Sequence, residues 1–423
     1  MDIHTPKNVH SSRIDTLDML RGFALLGILI MNIQSFAMPT QAYLNPFALT
    51  SIQHTPFNTQ GMDLFDRNGI VYMITHIFAD QKFMAIFSIL FGVGIALMVE
   101  SHHKKTPTVS GKPVSSLKFL LRRNFFLLLI GLEHAYFIWE GDILVSYSLC
   151  GFFVVWFRNK SVKFLVSLSA LLFAFPVIFL LLLGVFVPEE MVTHELEMEW
   201  TITSEQFQSV SDNLRSGWLQ QMVYRIPAAL EIQIELFILY TFWRVSSLML
   251  LGMALHKLEL LRNKISSATF GKWALAAIPL GIGITVMGIH QNNVHQWQAF
   301  YAHFFGSQFN YIGSLILSMG YIFGLLALYQ RLPHWISYAL QAIGRTALSN
   351  YILQSLICAF IFYGHGLGMY AQLDRFQQLL LLPGIWIFQS LLSILWLKHF
   401  PHGPLEWLWR YAVCWPPASR KKC

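Results

Sequence analysis

Four ionisable groups fall within ten residues of an otherwise apolar stretch: Glu133, His134, Glu140 and Asp142, interleaved with Trp139 and Gly141. A histidine beside a carboxylate is the minimum equipment for general-base work, because a neutral imidazole accepts a proton near physiological pH. Glu133 and Glu140 are seven apart and would share a helical face, with His134 on the neighbouring one. Asp142 also suits a helix N-cap, Gly141 a turn, and His134 a bond to a neighbouring helix. Capping accounts for Asp142 but leaves Glu133 and His134 without a reason to be there. His134, Asp142, Glu133 and Glu140 are therefore the catalytic candidates.

Three further sets could bind a substrate. Asp18 and Arg21 are three apart, on one face near the start of the first apolar run, which continues to Asn32. A guanidinium fixed there would grip phosphate or carboxylate, and it would serve equally as a snorkelling anchor. Asp15 reads as a helix-end charge. Further on, Gly344-Arg345 opens a run in which Thr346, Asn350 and Gln354 recur every four residues, a stripe that glues helices or lines a path. Lys82 stands at the start of a second run, where it can snorkel, and Arg244 lies deep in another and needs a buried partner. Glu406 and Arg410 are spaced for an i,i+4 pair in a short interfacial helix, and Gly320 and Gly324 for close helix contact.

The elements that must position these groups are membrane helices. Of 423 residues, 55% are hydrophobic and 12% charged, half the roughly one quarter of soluble domains. Mean hydropathy is +0.50. A span needs roughly 20 apolar residues to cross about 30 Å of hydrocarbon. Ten runs answer to that, near 17–38, 82–99, 121–139, 143–157, 163–187, 236–256, 272–290, 309–329, 346–363 and 376–397, with an interfacial helix at 68–79. They show no period-two alternation, which excludes a barrel. The expected fold is an all-α polytopic transmembrane bundle forming one integral membrane domain over 1–423, its first helix an uncleaved anchor.

The net charge of +7 is not a nucleic-acid signal, because the basic residues sit in short loops between apolar runs. Lys104, Lys105, Lys112, Lys118, Arg122 and Arg123, then Arg158, Lys160 and Lys163, and Lys257, Arg262, Lys264 and Lys272 fall on one side, with the basic tail. The loop 188–235 opens with five glutamates between Glu189 and Glu199, and 291–308 has no Lys or Arg. Positive-inside asymmetry then puts both termini in the cytoplasm and the 188–235 loop in the periplasm. Within that loop, Glu195 to Arg225 is expected to form an amphipathic helix over the bundle, with Phe207, Leu214 and Trp218 facing inward. Four scattered cysteines support neither a zinc site nor a disulfide framework, so no metal or bound cofactor is expected. G-x-x-x-x-G-K-[ST], H-E-x-x-H and G-x-S-x-G motifs are absent.

In five ordered segments the chain resembles the YeiB family of bacterial inner-membrane proteins, which is defined by a domain of unknown function. They are Leu17-Asp18-x-x-Arg21-Gly22 with Leu26-Gly27-Ile28 and Asn32; Lys82-Phe83 with Phe87-Ser88-x-Leu90-Phe91-Gly92; His134 with Gly141-Asp142-Ile143-Leu144; Gly344-Arg345-x-Ala347-Leu348-x-Asn350-Tyr351 with Gln354; and Gly403-Pro404-x-Glu406-Trp407-Leu408-Trp409-Arg410. The first segment is similar to that of a wider superfamily of transmembrane acyltransferases, which move an acyl group from cytoplasmic acyl-coenzyme A to an acceptor in or beyond the membrane. Its O-acetylating branch has a His late in the first span, where this chain has Asn32, and Asn is no general base. The resemblance implies acyl transfer with acyl-coenzyme A as donor substrate. It does not itself assign a base; on the residues alone, Arg21 and Arg345 are expected to hold the donor and His134 to act as base. A transporter of a small metabolite or lipid would use the same intramembrane groups, and a non-catalytic membrane partner or sensor is the third reading.

The charge asymmetry makes a direct prediction: in a cysteine-free background, Ser110→Cys reacts with an impermeant maleimide only after cells are permeabilised. Labelling of intact cells would overturn the inside assignment of the 100–118 loop.

Overall fold

The computed structural model describes residues 9–50, 52, 55–56, 64–105, 116–260 and 265–414; Ser110 lies outside them. The described residues are mostly helical, without a strand among them. The ten apolar runs all fall on helices: α1 (Val9–Ala37), α4 (Lys82–Lys105), α5 (Ser116–Phe137), α6 (Leu144–Val154), α7 (Val162–Phe186), α11 (Phe242–Lys257), α12 (Ser267–Val294), α14 (Ser307–Leu328), α16 (Ala347–Phe362) and α17 (Arg375–His399). Shorter helices complete the series: α2 (Thr40–Leu44), α3 (Arg67–Phe78), α8 (Glu189–Trp200), α9 (Ser204–Arg215), α10 (Met222–Glu231), α13 (Ala299–Tyr301), α15 (His334–Arg345) and α18 (Pro404–Val413).

Among the described residues, seven helical stretches are long and apolar enough to cross a bilayer, including Asp15–Ala37, Val162–Phe186 and Arg375–His399; Leu144–Phe157 and Ala347–Phe362 are apolar but shorter. Two features separate this from the ten runs of the sequence. α5 carries Lys118, Arg122, Arg123 and Glu133, and the backbone breaks at Thr346, dividing one long segment into α15 and α16. α3 and α4 form one apolar stretch, Arg67–Ser101, interrupted at Ala79–Gln81 where Gln81 takes φ 64°.

Burial separates centre from flank. On α1, Met19, Leu20, Ala24, Leu25, Leu29 and Ile33 are all shielded, as are Ile86, Ile89 and Val93 of α4 and Met249, Leu250 and Met253 of α11. α7 instead exposes Leu171, Ile178, Leu182 and Val185, and α17 exposes Leu380, Ile387, Leu391 and Leu395. Apolar flanks of that extent need a lipid solvent, and a buried polar interior is their complement. The chain is a multi-pass membrane protein of the helix-bundle class.

The central helices cross with their backbones nearly touching. A Cβ on Gly22 would lie 1.9 Å from the Leu340 carbonyl oxygen, and one on Gly344 1.8 Å from that of Asp18, so α1 and α15 meet glycine to backbone in both directions. α4 and α11 repeat the device, with Gly92 against Met249 (1.9 Å) and Gly252 against Ile89 (2.0 Å). Gly320 serves α14 likewise, 2.7 Å from an Ile278 carbon. These contacts place Asp18, Arg21 and Arg345 at one end of the bundle.

Segment 188–235 forms α8, α9 and α10, with breaks at Thr201–Thr203 and Ser216–Gln221, in place of the single helix expected over Glu195 to Arg225. The cause is local: Thr203 and Gln206 form a capping box that starts a new helix. Leu214 is buried as expected and Phe207 packs on the core, but the Trp218 ring is exposed. Cys414 is disulfide-bonded, a pairing that the scattered cysteines had not indicated.

Gly22→Ala and Gly344→Ala should each lower the thermal midpoint and the monodisperse yield in detergent, by at least the roughly 1–3 kcal/mol of an overpacked core. Gly283→Ala, where an added methyl meets nothing within 4 Å, should hold or gain stability through helix propensity. Equal behaviour of the three variants would remove the close-crossing account.

Candidate functional site

α5 ends at Phe137, and the chain turns through Trp139 and Glu140 before α6 begins at Leu144. His134, on the last turn of α5, meets Asp142 across that turn: Nδ1 lies 2.6 Å from Asp142 Oδ2, and both side chains are 1% exposed. The other Asp142 oxygen accepts from the Val145 amide at 2.7 Å. One carboxylate therefore caps α6 and orients the imidazole together. The two readings of Asp142 are both realised. With Nδ1 directed at a carboxylate, the proton sits there and Nε2 keeps its lone pair. Nε2 is buried and has no hydrogen-bond partner among the described residues.

The two glutamates part company. Because α5 stops at Phe137, Glu140 does not continue the face of Glu133: Glu133 is exposed, and Glu140 is buried in the turn. The expected role of Glu133 beside His134 is therefore not found; Asp142 holds that position. Burial pushes the Glu140 carboxyl above the usual carboxylate range, while Arg225 and His134 pull it down. Trp139 stacks on Phe36, ring centroids 4.3 Å apart. Tyr351 of α16 lies 5.1 Å from the His134 ring and receives the Ile143 amide at 3.2 Å.

α9 and α10 cover this end. Trp218 Nε1 and Arg225 Nη1 both donate to the Phe137 carbonyl, at 2.9 and 3.2 Å, answering one of the carbonyls left free at the end of α5. Gly364 donates to the Leu214 carbonyl at 2.9 Å, tying α9 to the turn after α16.

The other end collects arginines. Arg21 Nη1 is 2.7 Å from Asp18 Oδ1. Arg123 of α5 lies over the rings of Phe91 (5.3 Å) and Trp409 (4.4 Å), with its buried Nη1 unpartnered. Arg345 is exposed and donates to the Pro401 carbonyl at 3.1 Å. Arg410 donates to His402 Nε2 at 2.9 Å; burial, with Arg410 and Arg345 nearby, holds that imidazole below its usual range, so it accepts as the neutral form. Glu406 does not pair with Arg410. Its Oε1 accepts from both the Leu348 and Ser349 amides and its Oε2 from the Ser349 hydroxyl, capping α16 from α18.

Between the two ends runs an apolar cluster of Leu25, Leu127, Leu144, Leu348 and Tyr351, flanked by Phe87, Phe91 and Trp409. Arg123 and His134 are eleven residues apart on α5, about 16 Å along the axis.

Other sequence candidates are committed to bracing. Lys82 does not snorkel: it is fully buried, its ammonium donating to the His76 carbonyl and Asn310 Oδ1, both at 2.6 Å. Asn310 in turn donates to Asp80 at 2.7 Å. Arg244 donates to the Tyr311 carbonyl (3.0 Å) and Ser314 Oγ (2.7 Å), so its partners are dipoles. The Thr346–Asn350–Gln354 stripe is interhelical glue: Asn350 donates to Ser393 at 2.8 Å, Gln389 to the Asn350 carbonyl at 2.9 Å, and Gln354 to Gln389 Oε1 at 3.0 Å. Asn32 is half-buried on α1. An open groove of about 440 Å³ lies elsewhere, between α12 and α14. Sequence reasoning missed Arg225, Tyr363, Arg123 and Asp80; an Asp two residues before Lys82 at a helix break was the one available signal.

A helix bundle with a buried histidine–carboxylate pair at one end and clustered arginines at the other defines the class of protein. The comparisons with known proteins narrow it. Residues 255–416 match the family model described as protein of unknown function DUF418. The chain is 28% identical over 403 residues to the uncharacterized protein YeiB of Escherichia coli (strain K12), covering 93% of this chain and 94% of that one. It is 29% identical over 430 residues to the uncharacterized protein YxaH of Bacillus subtilis (strain 168), covering 97% of each. A 39.9 kDa protein in the amylase 3′ region of Bacillus acidopullulyticus is 25% identical over 404 residues, covering 94% of this chain and 93% of that one. The resemblance to the YeiB family thus extends end to end.

Lys82→Met should leave the buried His76 carbonyl and Asn310 Oδ1 without their donor, at roughly 1–3 kcal/mol for each, while His76 still faces Asp80. Adding Asp80→Asn, which removes the negative charge that Lys82 helped to offset, should restore part of the folded yield in a detergent melting series. A single variant as stable as the wild type would mean that the network does not brace the α3–α4 break.

Proposed function

We propose that the protein is an integral membrane acyltransferase in which His134 is the general base. The observation that carries this reading is the orientation of His134: Nδ1 held by a carboxylate at 2.6 Å, Nε2 buried and unpartnered. A histidine serving only as helix glue would use both nitrogens or show one to lipid. The arginine end supplies the other requirement, since Arg21, Arg123, Arg345 and Arg410 outnumber the carboxylates Asp15, Asp18 and Glu406 there and suit the phosphates of acyl-coenzyme A.

In this reading both termini and the arginine end face the cytoplasm, and α8–α10 face the periplasm of a bacterial inner membrane. The donor's thioester reaches toward His134 through the apolar cluster. An acceptor hydroxyl or amine gives its proton to Nε2 as its oxygen or nitrogen bonds to the thioester carbonyl carbon. The carbon–sulfur bond then breaks, and the departing sulfur takes the proton from His134, leaving acylated acceptor and free coenzyme A. Asp142 steadies the imidazolium between the two transfers. Arg21 and Arg345 keep the donor-holding role and Glu140 a place beside the acceptor, whereas Lys82, Asn350 and Gln354 shape the bundle.

Purified protein given acetyl-coenzyme A should release coenzyme A, slowly by hydrolysis without acceptor, and His134→Ala should cut the rate by roughly 10²–10⁴. Asp142→Asn should fall as far with membrane yield unchanged. Asn still caps α6 through its carbonyl, but its amide then faces Nδ1 and moves the imidazole proton to Nε2. Release unaffected by His134→Ala would remove the catalytic assignment. Solute uptake into vesicles with no coenzyme A released would favour the transporter.

A further inference from the structure

The end of the bundle beneath α9 and α10 holds more unanswered polar atoms than His134 alone. Arg225 Nε, Tyr363 Oη, Trp139 Nε1 and Glu140 Oε2 all lack a hydrogen-bond partner among the described residues, and their residues are 0%, 0%, 2% and 9% exposed. They come from three parts of the chain, α10, the turn after α16, and the α5–α6 turn, and they are contiguous. Arg225 lies over the Tyr363 ring, 5.6 Å from its centroid, while Phe36 packs on both Tyr363 (5.8 Å) and Trp139 (4.3 Å). Unpaired buried polar atoms cost stability, so four on linked side chains point to a ligand that would answer them.

Three of the four are donors, or donate as readily as they accept, and one belongs to a permanently charged guanidinium. Arg225 is engaged only with neutral acceptors, the Phe137 carbonyl and Gln221 Oε1. Its charge is wholly buried; Glu140 is the carboxylate near enough to feel it, but no salt bridge joins the two, and burial pushes the Glu140 carboxyl above the usual carboxylate range. A buried cation that makes no ion pair favours an anion from outside the chain. His134 and Phe137 are one helical turn apart, and Arg225 is bonded at Phe137, which places Arg225 within a short molecule's length of His134.

We infer that these residues form the acceptor subsite, and that the acceptor is a short organic anion whose reacting hydroxyl or amine lies a few bonds from a carboxylate or phosphate. The anion is bound by Arg225 Nε, Tyr363 Oη and Trp139 Nε1, and the nucleophile is presented to His134 Nε2. This rests on the acyltransferase reading for the word acceptor but not for the binding site itself.

The test uses full-length protein in nanodiscs, without donor, titrated calorimetrically with glycerate, glycerol 3-phosphate and glycerol, which share a three-carbon skeleton and differ in charge. At least one anion should bind tenfold or more tighter than glycerol, and the stronger of the two tells carboxylate from phosphate. Tyr363→Phe, which removes a single hydroxyl engaged with nothing, should weaken that anion by about tenfold and leave glycerol unchanged. Arg225→Gln should abolish the preference, and Tyr363→Phe decides the matter where Arg225→Gln fails to fold. Equal affinities, no binding of any probe, or an anion affinity untouched by Tyr363→Phe would overturn the subsite. Anion binding without coenzyme A release would instead leave the subsite standing and count against acyl transfer; release dependent on His134 without anion binding would do the reverse.

Discussion

Inside a bundle that lipid surrounds, a charged side chain has no water to turn to, and the chain itself must answer it. Most of this structure follows from that constraint. Lys82 and Arg244 are fully buried, and each is met by a carbonyl and a polar side chain from a neighbouring helix. Arg375, also buried, is held by Gln34 and the Ala42 carbonyl, under the Tyr72 ring. For Lys82 and Arg375 the accepting carbonyls, of His76 and Ala42, lie at helix ends, where a helix leaves its carbonyls free, whereas the Tyr311 carbonyl lies inside α14. Breaks such as the one between α3 and α4 thereby become places where a cation can be kept.

The same constraint makes single residues serve two ends. Asp142 satisfies an amide at the start of α6 and fixes an imidazole at the end of α5, so the turn cannot loosen without releasing His134. Glu406 does the equivalent at the opposite end, capping α16 from α18 while Trp409 of the same helix donates to the Arg123 carbonyl and lies under its guanidinium. Where an atom goes unanswered in so closely matched an interior, it stands out. Such atoms are scattered through the described residues, but five of them, on His134, Trp139, Glu140, Arg225 and Tyr363, belong to side chains at one end of the bundle.

The helices were legible because hydrophobicity and charge are local properties. Each apolar run became a helix, and the motif containing His134 became the buried pair. What the sequence hid was direction. Glu133 and Glu140 looked like neighbours on a helix, but the helix ends between them, and a turn's path depends on contacts far along the chain, here with α10 and α16. Arg225 gave no signal at all, because in the sequence it is one basic residue of an extramembrane loop. Its importance arises only where α10 lays it against Tyr363. The Asn350–Gln354 stripe left glue and a substrate path both open, because its spacing gave the face but not the partners, which are Ser393 and Gln389.

The apolar cluster between the arginines and His134 bears on which chemistry this arrangement suits. Its lining of Leu25, Leu127, Leu144 and Tyr351, with Phe87 and Phe91, offers a charged or strongly hydrated solute nothing to replace its water. A polar metabolite carried from end to end would have to cross it stripped. An acyl thioester would not, because the end that must advance toward His134 is its apolar one, and its phosphates stay behind with the arginines. The acceptor need not cross either, since the unpaired atoms that would hold it lie on the far side, beneath α9 and α10. In the proposed acyl transfer, two substrates entering from opposite ends and meeting at one imidazole would need a dry interior between them, and an apolar cluster that ends with Tyr351 against the His134 ring suits that need.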